Sequence, residues 1–247
     1  MKRDHWEEYM SRKRVPPFKC PHCDDGIMRP REGSLVVNEP RFSETEHALD
    51  GWEPDWIRER FSLSMMCSDE NCGEVVNLIG RTEIREVINE DGDWSYEQML
   101  LPTAAFPALP IIKVGEEVPR EVRDEIEASF LLYWADLGAS ANRLRASVEG
   151  ILDHFKIPAS KATGGYLMLN DRIKAFETID PEHAETFHAL RIVGNVGSHK
   201  GDLKREALLD AYEIYEHALD QLFVAKKLKA KMDSLKKKII AAKGQYK

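Results

Sequence analysis

The stretch FSLSMMCSDENCGEVVNLIG (61–80) decides the fold of the N-terminal part of the chain. Two apolar, strand-like runs, FSLSMM (61–66) and EVVNLIG (74–80), flank the cysteines Cys67 and Cys72. Gly73 follows Cys72 directly, and glycine suits a tight turn because no Cβ restricts its backbone. The pattern therefore predicts an antiparallel hairpin whose turn directs two sulfur atoms at one centre.

A second cysteine pair lies upstream, in CPHC (20–23), and the two pairs account for all four cysteines of the chain. Nothing in the sequence indicates secretion, and in a reducing compartment paired cysteines at these spacings indicate a metal site rather than disulfides. We predict a structural Zn²⁺ bound by Cys20, Cys23, Cys67 and Cys72, because four thiolates complete its tetrahedral shell and leave no open position for catalysis. The alternatives are that some cysteines are free and buried, or that His22 competes as a ligand.

Composition and charge describe an ordinary globular chain of 247 residues with a net charge of −8. The first residues lack the apolar core of a secretory signal, and no run approaches the roughly 18 apolar residues of a membrane span. We expect a soluble, cytoplasmic protein that does not associate with membranes.

The charge is unevenly distributed along the chain. Residues 226–247 contain nine Lys and one Asp, so the preceding residues carry a net charge of −16. Such a tail either contacts nucleic acid or an acidic partner, or is a solvated helix end.

The sequence pattern changes from strand-like to helical near residue 115. Short apolar runs separated by Gly, Pro, Asn and Asp predict strands before it, with Trp52, Trp56 and Trp94 packing the module. We predict a flexible N-terminus (1–15), a zinc-ribbon-like β module with an extended linker or edge strand (16–114), a helical domain (115–225) and a basic helical tail (226–247). The predicted fold class is α+β but mainly α: a helical bundle preceded by a small zinc-bound antiparallel β module.

Five helices are expected after residue 115, from apolar residues at three- and four-residue spacing. The first begins after Pro119 and is broken by Gly138, and the second covers about 140–155. A third covers about 166–177, and a fourth begins at Pro181 with Asp180 as its N-cap. The last runs from about Lys204 to residue 240, with its apolar stripe facing inward.

The fourth helix carries RIVGNVGSHK (191–200), in which Arg191, Asn195 and His199 are four residues apart and share one face. Each internal glycine costs about 1 kcal/mol relative to alanine. Gly194 and Gly197 remove bulk from the helix, so a facing helix or a phosphate backbone can approach closely. The stretch therefore fits either an active site or a packing seam in which Asn195 and His199 hydrogen-bond across the bundle.

Three motifs together, CPHC, RLRASVE (143–149) and LRIVGNVGSH (190–199), resemble a bacterial family of unknown function in the HEPN-like superfamily, which is also found fused to restriction enzymes. The resemblance implies a helical domain that dimerises. Many HEPN domains are metal-independent ribonucleases of toxin–antitoxin or phage-defence systems and carry an Arg-x4–6-His motif. The resemblance therefore implies such an activity for this chain. The chain departs from that motif because Gly194 stands at the place of the usual arginine, while Arg191 lies one turn earlier.

The resemblance implies that His199 acts as general base or acid, that Arg191 stabilises charge on the phosphate, and that Asn195 orients one of them. The expected function is a ribonuclease or nucleic-acid-associated effector in phage defence or a toxin-type system, whether or not the domain is catalytically active. Its partners would be RNA or other nucleic acid and a second copy or a larger defence complex. The alternative is a non-catalytic dimerisation or interaction module, or a regulatory subunit. Arg145 and Glu149 are predicted to form a structural i,i+4 ion pair.

Overall fold

The computed structural model describes residues 1–23, 25–88, 92–161, 163–198 and 203–241. The chain divides into two compact units. The first comprises Met1–Ile111 and Glu127–Ser140, and the second comprises Ile112–Ile126 and Ala141–Lys247.

The first unit is built on an antiparallel sheet, which curls into a half-barrel. Its strands are β1 (Met10–Ser11), β2 (Met28–Pro30), β3 (Val36–Asn38), β4 (Arg60–Cys67), β5 (Val75–Ile88) and β6 (Trp94–Phe106). Their order in the sheet is β1-β6-β5-β4-β2, and β3 also pairs with β4. One short helix, α1 (Arg41–Glu46), and single helical turns at Arg3–Trp6 and Pro54–Trp56 connect the strands.

The long hairpin of β5 and β6 accounts for most of the sheet. The sequence predicted only the run EVVNLIG (74–80) here, which ends at Gly80 before a series of charged residues. A bulge between Ile79 and Gly80 instead lets one strand of 14 residues continue through this point. Gly80 is needed there because a Cβ would overlap the carbonyl oxygen of Leu101 and lie 2.6 Å from the Phe61 ring. Residues 101–106 consequently lie in β6 and not in a linker.

An aromatic cluster anchors the N-terminal residues of the first unit. The rings of Trp6 and Trp134 stack at 5.2 Å, and Phe18 lies 5.2 Å from the Trp6 ring. The Tyr133 hydroxyl donates a 2.5 Å hydrogen bond to the carbonyl of Trp6, which is buried. The tryptophans predicted to pack this module do so poorly, because Trp94 is 73% exposed and Trp56 37% exposed. That prediction was wrong for these two, whereas Trp52 is half-buried and lies 4.7 Å from the His47 ring; Trp6 and Trp134 form the packed cluster.

The remaining helices follow Pro119. They are α2 (Arg120–Leu132), α3 (Leu137–His154), α4 (Leu169–Glu177), α5 (Pro181–Ser198), α6 (Arg205–Leu219) and α7 (Lys226–Ala241), with a π-helical turn, Asp220–Ala225, between the last two. The predicted starts after Pro119 and at Pro181 are confirmed. The predicted break at Gly138 was wrong, because that glycine lies in the first turn of α3. The helix begins at Leu137, and the carboxylate of the preceding Asp136 accepts the Ala139 N–H at 2.9 Å.

The core of the second unit follows the predicted apolar periodicity. From α3 it takes Leu144, Val148, Ile151 and Leu152, and from α6 and the following turn it takes Leu208, Tyr212, Tyr215, Leu219 and Leu222, all buried. The Tyr215 hydroxyl is satisfied by Ser147 at 2.7 Å, and burial raises its pKa well above the usual value. Among the described residues, no helix is both long and apolar enough to cross a bilayer.

The fold class predicted from the sequence was wrong. The protein is α+β and roughly 46% helical, and its N-terminal region is a half-barrel sheet rather than a small module in front of a mainly helical, HEPN-like bundle. The error arose because the half-polar strands β5 and β6, which lack strong alternation, were counted as short runs and loops.

The N-cap of α5 gives a pH-dependent prediction. The Asp180 carboxylate accepts the His183 N–H at 3.2 Å and contacts its Nδ1 at 2.8 Å, which confirms the predicted cap. Burial alone would raise the pKa of Asp180, but these two hydrogen bonds outweigh it and lower the pKa. The cap therefore stabilises the fold above the unfolded-state pKa, and this contribution is lost as the pH falls through the lower folded-state value.

We expect Asp180→Ala to lower the free energy of unfolding by about 1 kcal/mol at pH 7. Urea denaturation at pH 7 and at about pH 2, below the usual Asp pKa, measures the difference. Asp180→Asn is the matched control, because an amide caps a helix without titrating. An equal loss for Asp180→Ala at both pH values would refute the electrostatic part of this account.

Candidate functional site

Two hairpins of the first unit bring the four cysteines together. In the first, the Cys20 N–H bonds the Gly26 carbonyl at 3.0 Å, which turns the chain between Cys20 and Cys23. In the second, β4 ends at Cys67 and its N–H bonds the Glu74 carbonyl at 2.8 Å, which closes the turn that contains Cys72. Pairing of β2 with β4 then places one hairpin beside the other.

The cluster has the dimensions of a tetrahedral metal centre. All four Sγ atoms lie within 4.8 Å of one another, with 3.7 Å between Cys20 and Cys72 and 3.6 Å between Cys23 and Cys67. A tetrahedral ion with metal–sulfur bonds of about 2.3 Å separates its ligands by about 3.8 Å. The four cysteines therefore form a cluster that could hold a metal ion. His22, the alternative ligand, is exposed, and it is not among the residues of this cluster.

The surroundings of the sulfur atoms fit a bound cation. Backbone N–H groups of His22 and Asp69 point to the Sγ atoms of Cys20 and Cys67, each at 3.4 Å, as donors to a thiolate do. Burial raises the pKa of the Cys67 thiol to about 12, whereas at Cys23 burial is outweighed by hydrogen bonds, the largest from the Gly26 backbone, which lower the pKa of that thiol. A metal ion supplies the positive charge that such a buried thiolate needs.

Two glycines shape the cluster in different ways. A Cβ on Gly26 would overlap the Cys67 Sγ and lie 2.8 Å from the Cys23 Sγ, so any side chain there would enter the centre itself. Gly73 has a φ of +63°, which confirms the predicted tight turn, but a Cβ there would meet open space. The need for Gly73 is visible in the sequence, but that for Gly26 is not, because its only sequence signal is its place three residues after Cys23.

The predicted catalytic residues lie in the second unit. Arg191 and Asn195 are half-buried and share one face of α5, one turn apart, while His199 lies outside the described residues. Gly194, between them, is buried against α3. A Cβ at position 194 would lie 2.6 Å from the Cβ of Arg145 and 3.0 Å from its Cδ. The aliphatic stem of Arg145 therefore occupies the space over Gly194.

The guanidinium groups at this seam are incompletely satisfied. The Nε atoms of Arg145 and Arg191 are buried, and neither has a hydrogen-bond partner in the described part of the chain. The predicted pair of Arg145 with Glu149 is present, but the nearest N···O distance is 3.7 Å and the Glu149 side chain is 46% exposed. An exposed pair of this kind contributes only a few tenths of a kcal/mol. The seam thus holds two guanidinium groups, each with one buried donor that the described residues leave unsatisfied.

Comparison with known proteins yields two family matches. Residues 8–104 match the model described as domain of unknown function DUF8608, and residues 127–238 match domain of unknown function DUF4145. The chain is similar to two domains of unknown function. Neither description names the HEPN-like superfamily, so that resemblance stays a prediction. No curated protein and no solved structure matches the chain.

Proposed function

We propose that the protein is a nucleic-acid-associated effector that cleaves RNA at the seam of α3 and α5, as part of bacterial phage defence or a toxin-type system. One observation carries the proposal: Arg145 lies over Gly194 and, like Arg191 one turn away on α5, keeps a buried Nε without a partner among the described residues. Guanidinium groups with free donors are suited to phosphate oxygens. Arg145 thereby takes the place of the arginine that the motif lacks at position 194.

The proposed reaction is transesterification within the RNA strand. The 2′-oxygen forms a bond to phosphorus while the bond to the 5′-oxygen breaks, which leaves a 2′,3′-cyclic phosphate and a 5′-hydroxyl. His199 accepts the 2′-hydroxyl proton, and water supplies the proton that turns the leaving 5′-oxygen into the 5′-hydroxyl; His199 then returns its own proton to solvent. Arg145 and Arg191 stabilise the charge that develops on the phosphate oxygens, and Asn195 orients the phosphate.

We assign the cysteine cluster a structural Zn²⁺. A set of four thiolates fits zinc better than the oxygen-preferring ions, and all four positions of the shell are then protein ligands. The ion would hold the two hairpins of the first unit together and take no part in the cleavage. RNA cleavage should accordingly need no added metal.

The test is incubation of the purified protein with tRNA and mRNA beside the His199→Ala and Arg191→Ala variants. We expect the wild-type protein to cleave in EDTA and both variants to lose at least about 100-fold in rate, since a general base or a charge stabiliser contributes that much. Cleavage that survives both substitutions would reject the proposed site.

The second candidate function is a non-catalytic interaction module, and the surface of α7 favours it. Leu228, Met232, Leu235 and Ile239 recur at alternating spacings of four and three and are 38–54% exposed. Such a narrow stripe is typical of a coiled-coil seam. Lys226–Ala241 contains seven Lys and one Asp, which disfavours pairing with a second copy and favours an acidic helix. Unchanged binding of a Leu/Glu heptad peptide to Leu235→Asp protein would reject this candidate.

A further inference from the structure

A cleft in the first unit is cationic although that part of the chain is acidic. Residues 1–111 contain thirteen Lys and Arg against twenty-two Asp and Glu. The cleft, about 380 Å³ in volume, is nonetheless lined by Arg12, Lys13 and Arg31, and none of the described residues that line it carries a carboxylate. Arg14 and Arg29 are exposed close by in sequence. The carboxylates near it are Glu32, which is exposed between Arg31 and Gly33, and Glu97, which accepts the Ser11 hydroxyl, so the charge around the cleft stays positive on balance.

A neutral side chain holds the Arg12 guanidinium of this cleft. The Arg12 Nη1 donates to the Gln98 Oε1 at 2.9 Å, and the Gln98 amide nitrogen donates in turn to Glu59. This arrangement fixes the guanidinium without a direct ion pair. The Arg31 N–H bonds the Ser64 carbonyl at 2.9 Å, which ties its backbone to β4. No ion pair of Arg12, Lys13 or Arg31 is seen in the described residues.

The rest of the lining is apolar. Val15, Leu35 and Leu63 contribute to the walls, and Leu63 is buried in the sheet. Inorganic phosphate has no apolar part that could contact such a wall. A nucleotide, in contrast, presents a phosphate at one end and a flat, weakly hydrated base at the other. The volume lies at the lower end of small-ligand sites, roughly 300–1,000 Å³, which suits one nucleotide.

We propose that this cleft binds a nucleoside phosphate, with the phosphate against Arg12, Lys13 and Arg31 and the base against Val15, Leu35 and Leu63. The ligand is either a free mononucleotide or one residue of a nucleic-acid strand, because both present the same chemistry. The cleft lies in the first unit, so the inference goes beyond cleavage at α3 and α5 and does not depend on it.

Isothermal titration calorimetry with AMP tests the proposal on the full chain. We expect Arg12→Gln and Arg31→Gln each to weaken AMP binding about tenfold, which is the value of one charge-assisted hydrogen bond. Arg41→Gln, an exposed arginine on α1 of the same unit, is the matched control and should change the affinity less than about twofold. Circular dichroism of each variant verifies the fold. Unchanged AMP affinity in both cleft variants would overturn the inference.

Three further arms of the titration identify the ligand and separate this site from the seam of α3 and α5. Inorganic phosphate should bind more weakly than AMP, and equal binding would reject the nucleotide assignment. An oligoadenylate that binds more tightly than AMP identifies a strand as the source, while equal affinity identifies the free nucleotide. Arg145→Met should leave AMP binding intact. Loss of AMP binding in that variant alone would move the ligand to the seam and reject the cleft, whatever the outcome of the cleavage assay.

Discussion

Removal of the proposed zinc ion should unfold the two cysteine hairpins of the first unit. A structural zinc ion contributes about 10–16 kcal/mol of apparent binding free energy in small zinc domains, which is as large as the whole stability of a typical domain. Treatment with a strong chelator should therefore abolish the ordered state of the β2–β4 region and expose four reactive thiols per chain. Thiol titration beside circular dichroism measures both effects. Four buried, unreactive thiols in metal-free, folded protein would contradict the assignment.

Gly26→Ala should reproduce this loss without any chelator. The added Cβ would overlap the Cys67 Sγ and approach the Cys23 Sγ, so the ligands cannot close around an ion. Gly73→Ala is the matched control, because its Cβ meets open space and only the left-handed backbone is strained, at a cost of about 1 kcal/mol. Metal analysis should find about one zinc per chain in wild-type and Gly73→Ala protein and almost none in Gly26→Ala. Full zinc content in Gly26→Ala would contradict the geometry of the cluster.

Arg145→Met should weaken RNA binding about tenfold and reduce its salt dependence by about one phosphate contact. Methionine keeps an aliphatic stem over Gly194, so packing is preserved while the guanidinium is removed. Arg191→Met should have an effect of similar size. Fluorescence anisotropy of a labelled RNA with a 2′-O-methyl backbone, which cannot be cleaved, measures binding separately from the reaction.

Arg143→Met is the matched control for Arg145→Met. Arg143 also lies on α3, but its guanidinium pairs with Glu125 at 3.1 Å and its side chain is 50% exposed. Loss of that surface pair should change stability by less than about 1 kcal/mol and leave RNA affinity nearly unchanged. If Arg143→Met and Arg145→Met weaken binding equally, the effect is one of general charge, and the seam is not the binding site.

Much of the local structure followed from the sequence. Cysteine spacing and the flanking runs predicted the hairpin around Cys67 and Cys72 and its cysteine partners in CPHC, and apolar periodicity predicted which residues of α3 and α6 are buried. The cap at Asp180 followed from its position before Pro181. These features depend on neighbours within a few residues, and short-range patterns record them directly.

The features that the sequence analysis missed depend on contacts distant in the chain. The bulge at Gly80 is specified by its approach to Leu101, and the need for Gly26 arises from Cys67, 41 residues later. Likewise, the space over Gly194 is filled by Arg145 from another helix, which the motif comparison treated as an ion-pair residue only. A glycine in a sequence does not indicate which distant atom excludes its Cβ, so these positions needed the structure.

The central claim, that the seam of α3 and α5 cleaves RNA through the strand's own 2′-hydroxyl, is tested most directly with a modified substrate. Once a cleavage site is mapped, the same RNA is made with a single 2′-deoxynucleotide on the 5′ side of that bond. The account predicts that cleavage stops at this bond in EDTA, continues at other sites, and leaves 2′,3′-cyclic phosphate ends. Continued cleavage at the modified bond would contradict it, because the nucleophile would then come from elsewhere.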